Sequence, residues 1–180
     1  MKEKLGIFDA DCFLYFTGWH YRQTMNQASV LAACQHLDKM ITAILNTQKI
    51  DKYLGFFGAV DNENFRYNVA TIKPYKGSRK KEPWHDYFIP RLKAHYEKKW
   101  GFYPIKYMEA DDAVVIAHKQ FEKDYDILHI GEDKDFIGQV AATRYNPNST
   151  KKEVTSWGEE ERMRHFYYQL IVGEQSPLLI

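Results

Sequence analysis

Only two cysteines, Cys12 and Cys34, occur in the 180 residues. They form neither a disulfide framework nor zinc-ligand spacing, which fits a reducing compartment. No stretch approaches the roughly 20 apolar residues of a membrane span. The opening MKEKLGIFDAD lacks the apolar core of a signal peptide. A cytoplasmic location with no membrane partner is therefore expected. Net charge is almost absent: 25 basic residues against 24 acidic ones leave +1. Bulk electrostatics alone does not mark a nucleic-acid binder. There is no internal repeat, no low-complexity segment and no HExxH motif, and the seven histidines are scattered. His118 is read as solvated or packed, His129 lies within a strand candidate, and neither is assigned a role.

What is present is enough chain for one domain, 1–180, with a sizeable core. Thirteen Tyr and eleven Phe are many, and most are expected inside that core. Leu5–Phe8 reads as a strand ending in Asp9. Val30, Ala33, Cys34, Leu37, Ile41 and Ile44 share one helical face within 29–47. Tyr53–Val60 is almost continuously apolar, as in a strand covered on both faces. Pro90 is expected to open a helix carrying Leu92, His95, Tyr96 and Lys99. Phe102–Tyr107 reads as a strand, with Pro104 placing it at an edge. Ala110, Ala113, Val114, Ala117 and Phe121 mark the next helix, Ile127–Ile130 a strand and Val140–Tyr145 a shorter one. Ser156 and Glu159 suggest a capping box before a helix lined by Met163, Phe166, Tyr167, Leu170 and Ile171. The alternation predicts an α/β fold, a three-layer sandwich around a mainly parallel sheet.

Acidic residues cluster at the ends of these strands. Asp9 and Asp11 follow LGIF, Asp61 follows YLGFFGAV, and Asp133 and Asp135 follow ILHIG. Glu109, Asp111 and Asp112 open the helix in MEADDAVV. Ligands of an open parallel sheet bind beyond the carboxyl ends of its strands, so these groups can converge. Uncompensated, such negative charge raises carboxylate pKa values. Oxygen-ligated Mg²⁺ or Mn²⁺ would relieve it, and two such ions about 4 Å apart suit phosphoryl chemistry. Glu109 and Asp111 are read as ligands. Asp112 either caps the helix, as the dipole favours, or contacts the metal or its water.

Basic charge is local rather than global. Between Lys73 and Lys99 there are nine Lys or Arg and three acids. The run KPYKGSRKK at 73–81 sits in a stretch without clear hydrophobic period. Lys73, Lys76, Arg79, Lys80 and Lys81 are candidates to clamp a phosphate backbone, with Arg66 nearby and Tyr75 stacking on a base.

Taken in order, IFDAD, AVDNENFR, YKGSR, EADD and GEDKDF resemble the motifs of the 5′-3′ exonuclease and flap endonuclease family, of PIN-like fold and bacteriophage type. The resemblance spans about residues 5–138. It implies a Mg²⁺- or Mn²⁺-dependent nuclease acting on single-stranded, flap or duplex-end DNA, or on RNA, in the host cytoplasm if viral. By it, Asp9, Asp61, Glu109 and Asp111 hold the first metal, and Asp133 and Asp135 the second. Asp112 supports them, and Lys76 and Arg79 touch the scissile phosphate. Residues 62–106 become a short basic loop or arch, and Asp11 falls outside the pattern as a loop-ordering residue. Residues 174–180 depart from it. Glu174 stands where the first Asp of a Gly-Asp-x-x-Asp motif belongs, and Pro177 stands at the second. The helix-hairpin module that grips duplex DNA has no counterpart, which leaves room for a protein partner in its place.

Two other readings compete. A non-catalytic or partner-dependent nucleic-acid-binding protein would follow from the altered tail. A haloacid-dehalogenase-type phosphatase would use IFDAD as its Asp-x-Asp nucleophile motif, but it leaves EADD and YKGSR without a role.

Overall fold

The computed structural model describes residues 2–59, 64–69, 81–132, 135–149 and 152–172. Six strands form one sheet: β1 (Lys4–Asp9), β2 (Lys52–Gly58), β3 (Tyr103–Ile105), β4 (Asp126–Ile130), β5 (Ala142–Tyr145) and β6 (Val154–Trp157). Their spatial order is β3-β2-β1-β4-β5-β6. The first five are parallel, and β6 runs antiparallel to β5. From β1 the chain builds outward to β2 and β3, then crosses to the other side of β1 to add β4 and β5. The strand order therefore reverses between β1 and β4, where a crevice opens beyond the carboxyl ends.

The side-chain alternation of β1 and β4 divides the core. Phe8, Leu128 and Ile130 join one cluster with Phe13, Leu37, Phe88, Leu92 and Phe102. Leu5, Ile7 and Ile127 join the other with Val114, Val115 and Phe136. The helices α1 (Asp11–His20), α2 (Gln27–Thr47) and α4 (Pro83–His95) pack together over the first face. Helix α5 (Ala110–Phe121) lies against β1, β2 and β4 on the second. This is the three-layer α/β arrangement expected from the alternation of elements. Among the described residues, seven aromatics, including Phe8, Phe13 and Tyr96, are fully buried. Among the described residues no helix is long and apolar enough to cross a membrane.

Local chemistry accounts for the element ends. Asn26 caps α2, its Oδ1 accepting from the Ser29 N–H at 2.9 Å. Helix α4 starts at Pro83, not at Pro90. Pro83 occupies the first turn, where a missing N–H costs nothing, and His85 Nδ1 accepts from the Glu82 N–H at 2.8 Å. Burial of Trp84, Phe88, Ile89 and Leu92 then carries the helix through Pro90. A π-helical turn, Tyr96–Trp100, follows directly. Pro104 lies on the edge strand β3 as anticipated. The strand expected to reach Val60 ends at Gly58, and Val60 lies outside the described residues.

Ser156 caps no helix. It belongs to β6, where its hydroxyl meets that of Thr143 at 3.0 Å. The last helix, α6 (Glu159–Val172), is opened by Gly158, whose N–H donates to Glu161 at 3.0 Å. Its expected apolar lining does not enter the core: Phe166, Tyr167, Leu170 and Ile171 are all exposed. The helix packs instead through Arg162, His165 and Gln169 near the 3₁₀ turn Asp135–Gly138. The short helix α3 (Arg66–Val69) lies between β2 and α4 in sequence.

Candidate metal and nucleic-acid site

Asp9 is the last residue of β1 and is 9% exposed. It stands at the strand-order reversal, beside Gly131 at the end of β4. A Cβ at Gly131 would lie 3.2 Å from the Asp9 Cβ and 3.8 Å from Oδ2, so the glycine makes room for the carboxylate. Asp11 accepts from the Gly58 N–H at 3.1 Å, tying the start of α1 to the end of β2. That is the ordering role expected of it. Lys93 Nζ donates to the Gly58 carbonyl, so the end of β2 is held from both sides. Cys12 donates its thiol to the Asp9 carbonyl at 3.1 Å. Burial, and then the Asp9 charge, push this thiol well above its ordinary pKa. The Tyr96 hydroxyl is raised in the same way, by burial first and then by Cys12, Asp11 and Asp9.

A second acidic group stands at the head of α5. Glu109 is the N-cap, and Asp112 reaches back so that Oδ2 accepts from the Glu109 N–H at 3.1 Å. Asp112 also receives Arg66 through both oxygens, at 2.8 and 2.9 Å. Arg66 Nη1 further contacts Glu109 at 2.9 Å. The two roles open to Asp112 in the sequence therefore gain a third, as the anchor of a bidentate ion pair. Arg66, a candidate for nucleic acid, directs its guanidinium onto these two carboxylates. Asp111 Oδ1 accepts from the Asp112 N–H at 2.8 Å. Its carboxyl is nevertheless pushed up to about 6, by burial first and then by Glu109 and Asp112. Arg66 and the Asp112 amide pull it down without cancelling the rise. Three carboxylates with one guanidinium leave negative charge that a hard divalent cation would neutralise. These donors are all oxygen, the ligand type that Mg²⁺ and Mn²⁺ prefer.

The remaining candidates are placed less completely. Asp61, Lys73, Tyr75, Lys76, Arg79, Lys80, Asp133 and Glu174 lie outside the described residues, as does Pro177. Asp135 begins the 3₁₀ turn after β4, and Lys81 is exposed just before α4. Among the described residues, no three His, Cys, Asp or Glu side chains converge on a point that could hold a metal. Sequence reasoning missed Cys12, Lys93 and Glu132 at this edge, the last a neighbour that acts on the Cys12 thiol. A helical lysine and a lone cysteine carry no motif, whereas Glu132 adjoins one, within GEDKDF.

The chain matches no family model and no curated protein. Solved structures share its fold. It superposes on a bacteriophage T5 flap endonuclease, in a pseudo-enzyme–product complex with DNA and metal ions, over 96% of this chain and 67% of that one (TM-score 0.61, 16% identity). It superposes on T5 5′-exonuclease with bound zinc over 86% and 58% (TM-score 0.63, 15% identity). A T5 protein co-crystallised with metal ions matches over 91% and 60% (TM-score 0.64, 16% identity). The chain spans about 60% of the length of the second and third of these T5 proteins. At identities this low the likeness shows the fold alone.

Proposed function

We propose that this chain is a divalent-metal-dependent nuclease of the 5′-3′ exonuclease and flap endonuclease kind, with a PIN-like domain that hydrolyses DNA or RNA phosphodiester bonds. The observation that carries the reading is the acidic head of α5, where Asp111 is held at about 6 by burial and by Glu109 and Asp112 despite Arg66. A site in that electrostatic state favours a cation. Its place on an open sheet whose strand order reverses at Asp9, and the fold shared with a DNA- and metal-bound flap endonuclease, support a phosphodiester as substrate.

Asp9, Asp61, Glu109 and Asp111 would hold one ion, and Asp133, Asp135 and Glu174 a second. Bound Mg²⁺ or Mn²⁺ supplies Lewis-acid polarisation of phosphoryl oxygens and lowers the pKa of water. The chain's own residues do the rest. Arg66 and Asp112 fix the carboxylates of Glu109 and Asp111 through the pairings described above. Lys76 and Arg79 contact the scissile phosphate and stabilise charge that develops on its oxygens. Lys73, Lys80, Lys81 and Tyr75 hold the backbone and one base.

The test is cleavage of 5′-labelled single-stranded, duplex, flap and RNA–DNA hybrid substrates in Mg²⁺ and Mn²⁺, beside Asp133→Asn. Metal-dependent products that disappear in Asp133→Asn, with binding largely intact, support the reading. Tight binding without turnover in either metal points to a non-catalytic binder instead.

A further inference from the structure

We propose that a groove on the α1–α2 flank, running outward from the acidic edge, is a track for a single-stranded nucleic-acid segment. The inference deepens the nuclease reading and rests on it. Two cavities, of about 610 and 660 Å³, abut one another and share Phe16 and Asn148 in their walls. Each has the size of a small-ligand site. The inner one is walled by Cys12 and Glu132, so it begins where the Cys12 thiol bonds the Asp9 carbonyl. Asn148 donates to Glu132 at 3.2 Å and holds the 146–149 turn against this end. The outer cavity extends along α2 past His36 to Lys152.

The groove's chemistry suits unpaired bases. Phe16 and Trp19 are one turn apart on α1 and remain 43% and 54% exposed. His36 presents a third ring, 6.3 Å from Phe16. Arg22 is fixed over Trp19, its Cζ 3.6 Å from the ring centroid and its Nη1 bonded to the Trp19 carbonyl at 2.8 Å. Charged side chains stand along the groove. The acid Glu132 lies at the inner end, where the metal ligands are proposed. Lys152 lines the outer cavity, Arg22 stands over Trp19 on the wall of the inner one, and Lys39 is close enough to help depress His36. Phosphates would meet those cations while successive bases stack on the rings. A duplex keeps its base faces covered by stacking, so only unpaired nucleotides match this surface.

The test is fluorescence anisotropy with a labelled deoxythymidine oligonucleotide and a blunt DNA duplex, in EDTA so that no cleavage intervenes. We expect Phe16→Ala/Trp19→Ala to weaken single-strand binding about 10-fold or more while duplex affinity stays within two-fold. Phe16→Tyr/Trp19→Phe should restore it, since stacking needs only a ring. Lys152→Ala should lower the salt dependence of single-strand binding. In the wild-type chain, a 5-bromouracil-substituted strand should photocrosslink to the peptide carrying residues 13–22. Unchanged single-strand affinity in the alanine variant, or crosslinks elsewhere only, overturns the track while leaving metal-dependent cleavage standing. A wild-type dimer that the alanine variant abolishes would assign the surface to a second copy and also overturn it. Absence of both cleavage and binding would instead defeat the nuclease reading beneath it.

Discussion

Two imidazoles show how burial sets a protonation state. His118 Nδ1 and His129 Nε2 are 2.8 Å apart between α5 and β4. The Glu122 carboxylate, 3.4 Å from His118 Nε2, favours a proton on that nitrogen. His118 Nδ1 is then the acceptor and His129 Nε2 the donor. Burial lowers the pKa of both rings, and it takes His129 down to about 3, helped by His118 and Arg144. A depressed folded pKa means that the unfolded chain binds the proton first. The stability contributed is therefore complete above the ordinary value of 6.5 and lost as pH falls toward 3. The slope from His129 alone is about 1.4 kcal/mol per pH unit. Urea unfolding at pH 7 and pH 5 should show this loss, and His129→Gln should reduce it. An equal loss in the variant would mean that other groups govern acid sensitivity. Neither His118 nor His129 belonged to a recognisable motif, because their pairing joins a helix to a strand.

At the scale of elements, α2 anchors the end of α4 through one carboxylate. Asp38 Oδ1 accepts from His95 and from Trp100, each at 2.8 Å, and Oδ2 accepts from Lys99 at 2.9 Å. Burial would raise this carboxyl, but the three hydrogen bonds outweigh it and hold the group below 3.8. Its contribution is present above that value and lost only as pH falls through the lower folded pKa. Asp38→Ala should cost about 1.5–3 kcal/mol at neutral pH, read as a lower denaturant midpoint. On β2 the constraint is space. A Cβ at Gly55 would sit 2.4 Å from the Phe102 ring, and Phe102 is 1% exposed. Gly55→Ala should destabilise by about 1–3 kcal/mol, and a neutral effect would show that the ring can move. The strand at Gly55 was legible from YLGFFGAV. The reason for its glycine was not, since Phe102 arrives from far along the chain.

For the whole molecule, the acidic head of α5 would set stability against the metal binding proposed for it. Burial and the charges of Glu109 and Asp112 make ionised Asp111 costly without a cation. Asp111→Asn should therefore raise the melting temperature of the metal-free chain. It should also abolish or greatly reduce the further rise that Mg²⁺ gives the wild type, about 2.7 kcal/mol at 100 times Kd. Calorimetry with and without Mg²⁺ separates these effects. A variant as responsive to Mg²⁺ as the wild type would remove Asp111 from the proposed ligands. The exposed apolar stripe of α6 also belongs to this scale. Its helical period was readable, but the face it turns inward proved to be the one bearing Arg162, His165 and Gln169.

The sequence by itself determined the main α/β alternation, the strand-end positions of Asp9 and Gly131, and the acidic start of α5. Those features follow from local periodicity, apolar runs and helix-start chemistry. Tertiary structure decided what no local pattern encodes. It brought β4 beside β1, turned Arg66 onto Glu109 and Asp112, placed Ser156 in an antiparallel strand and lined a groove with Phe16 and Trp19. Each of these depends on contacts between residues distant in sequence, whose free energy arises only when the layers close.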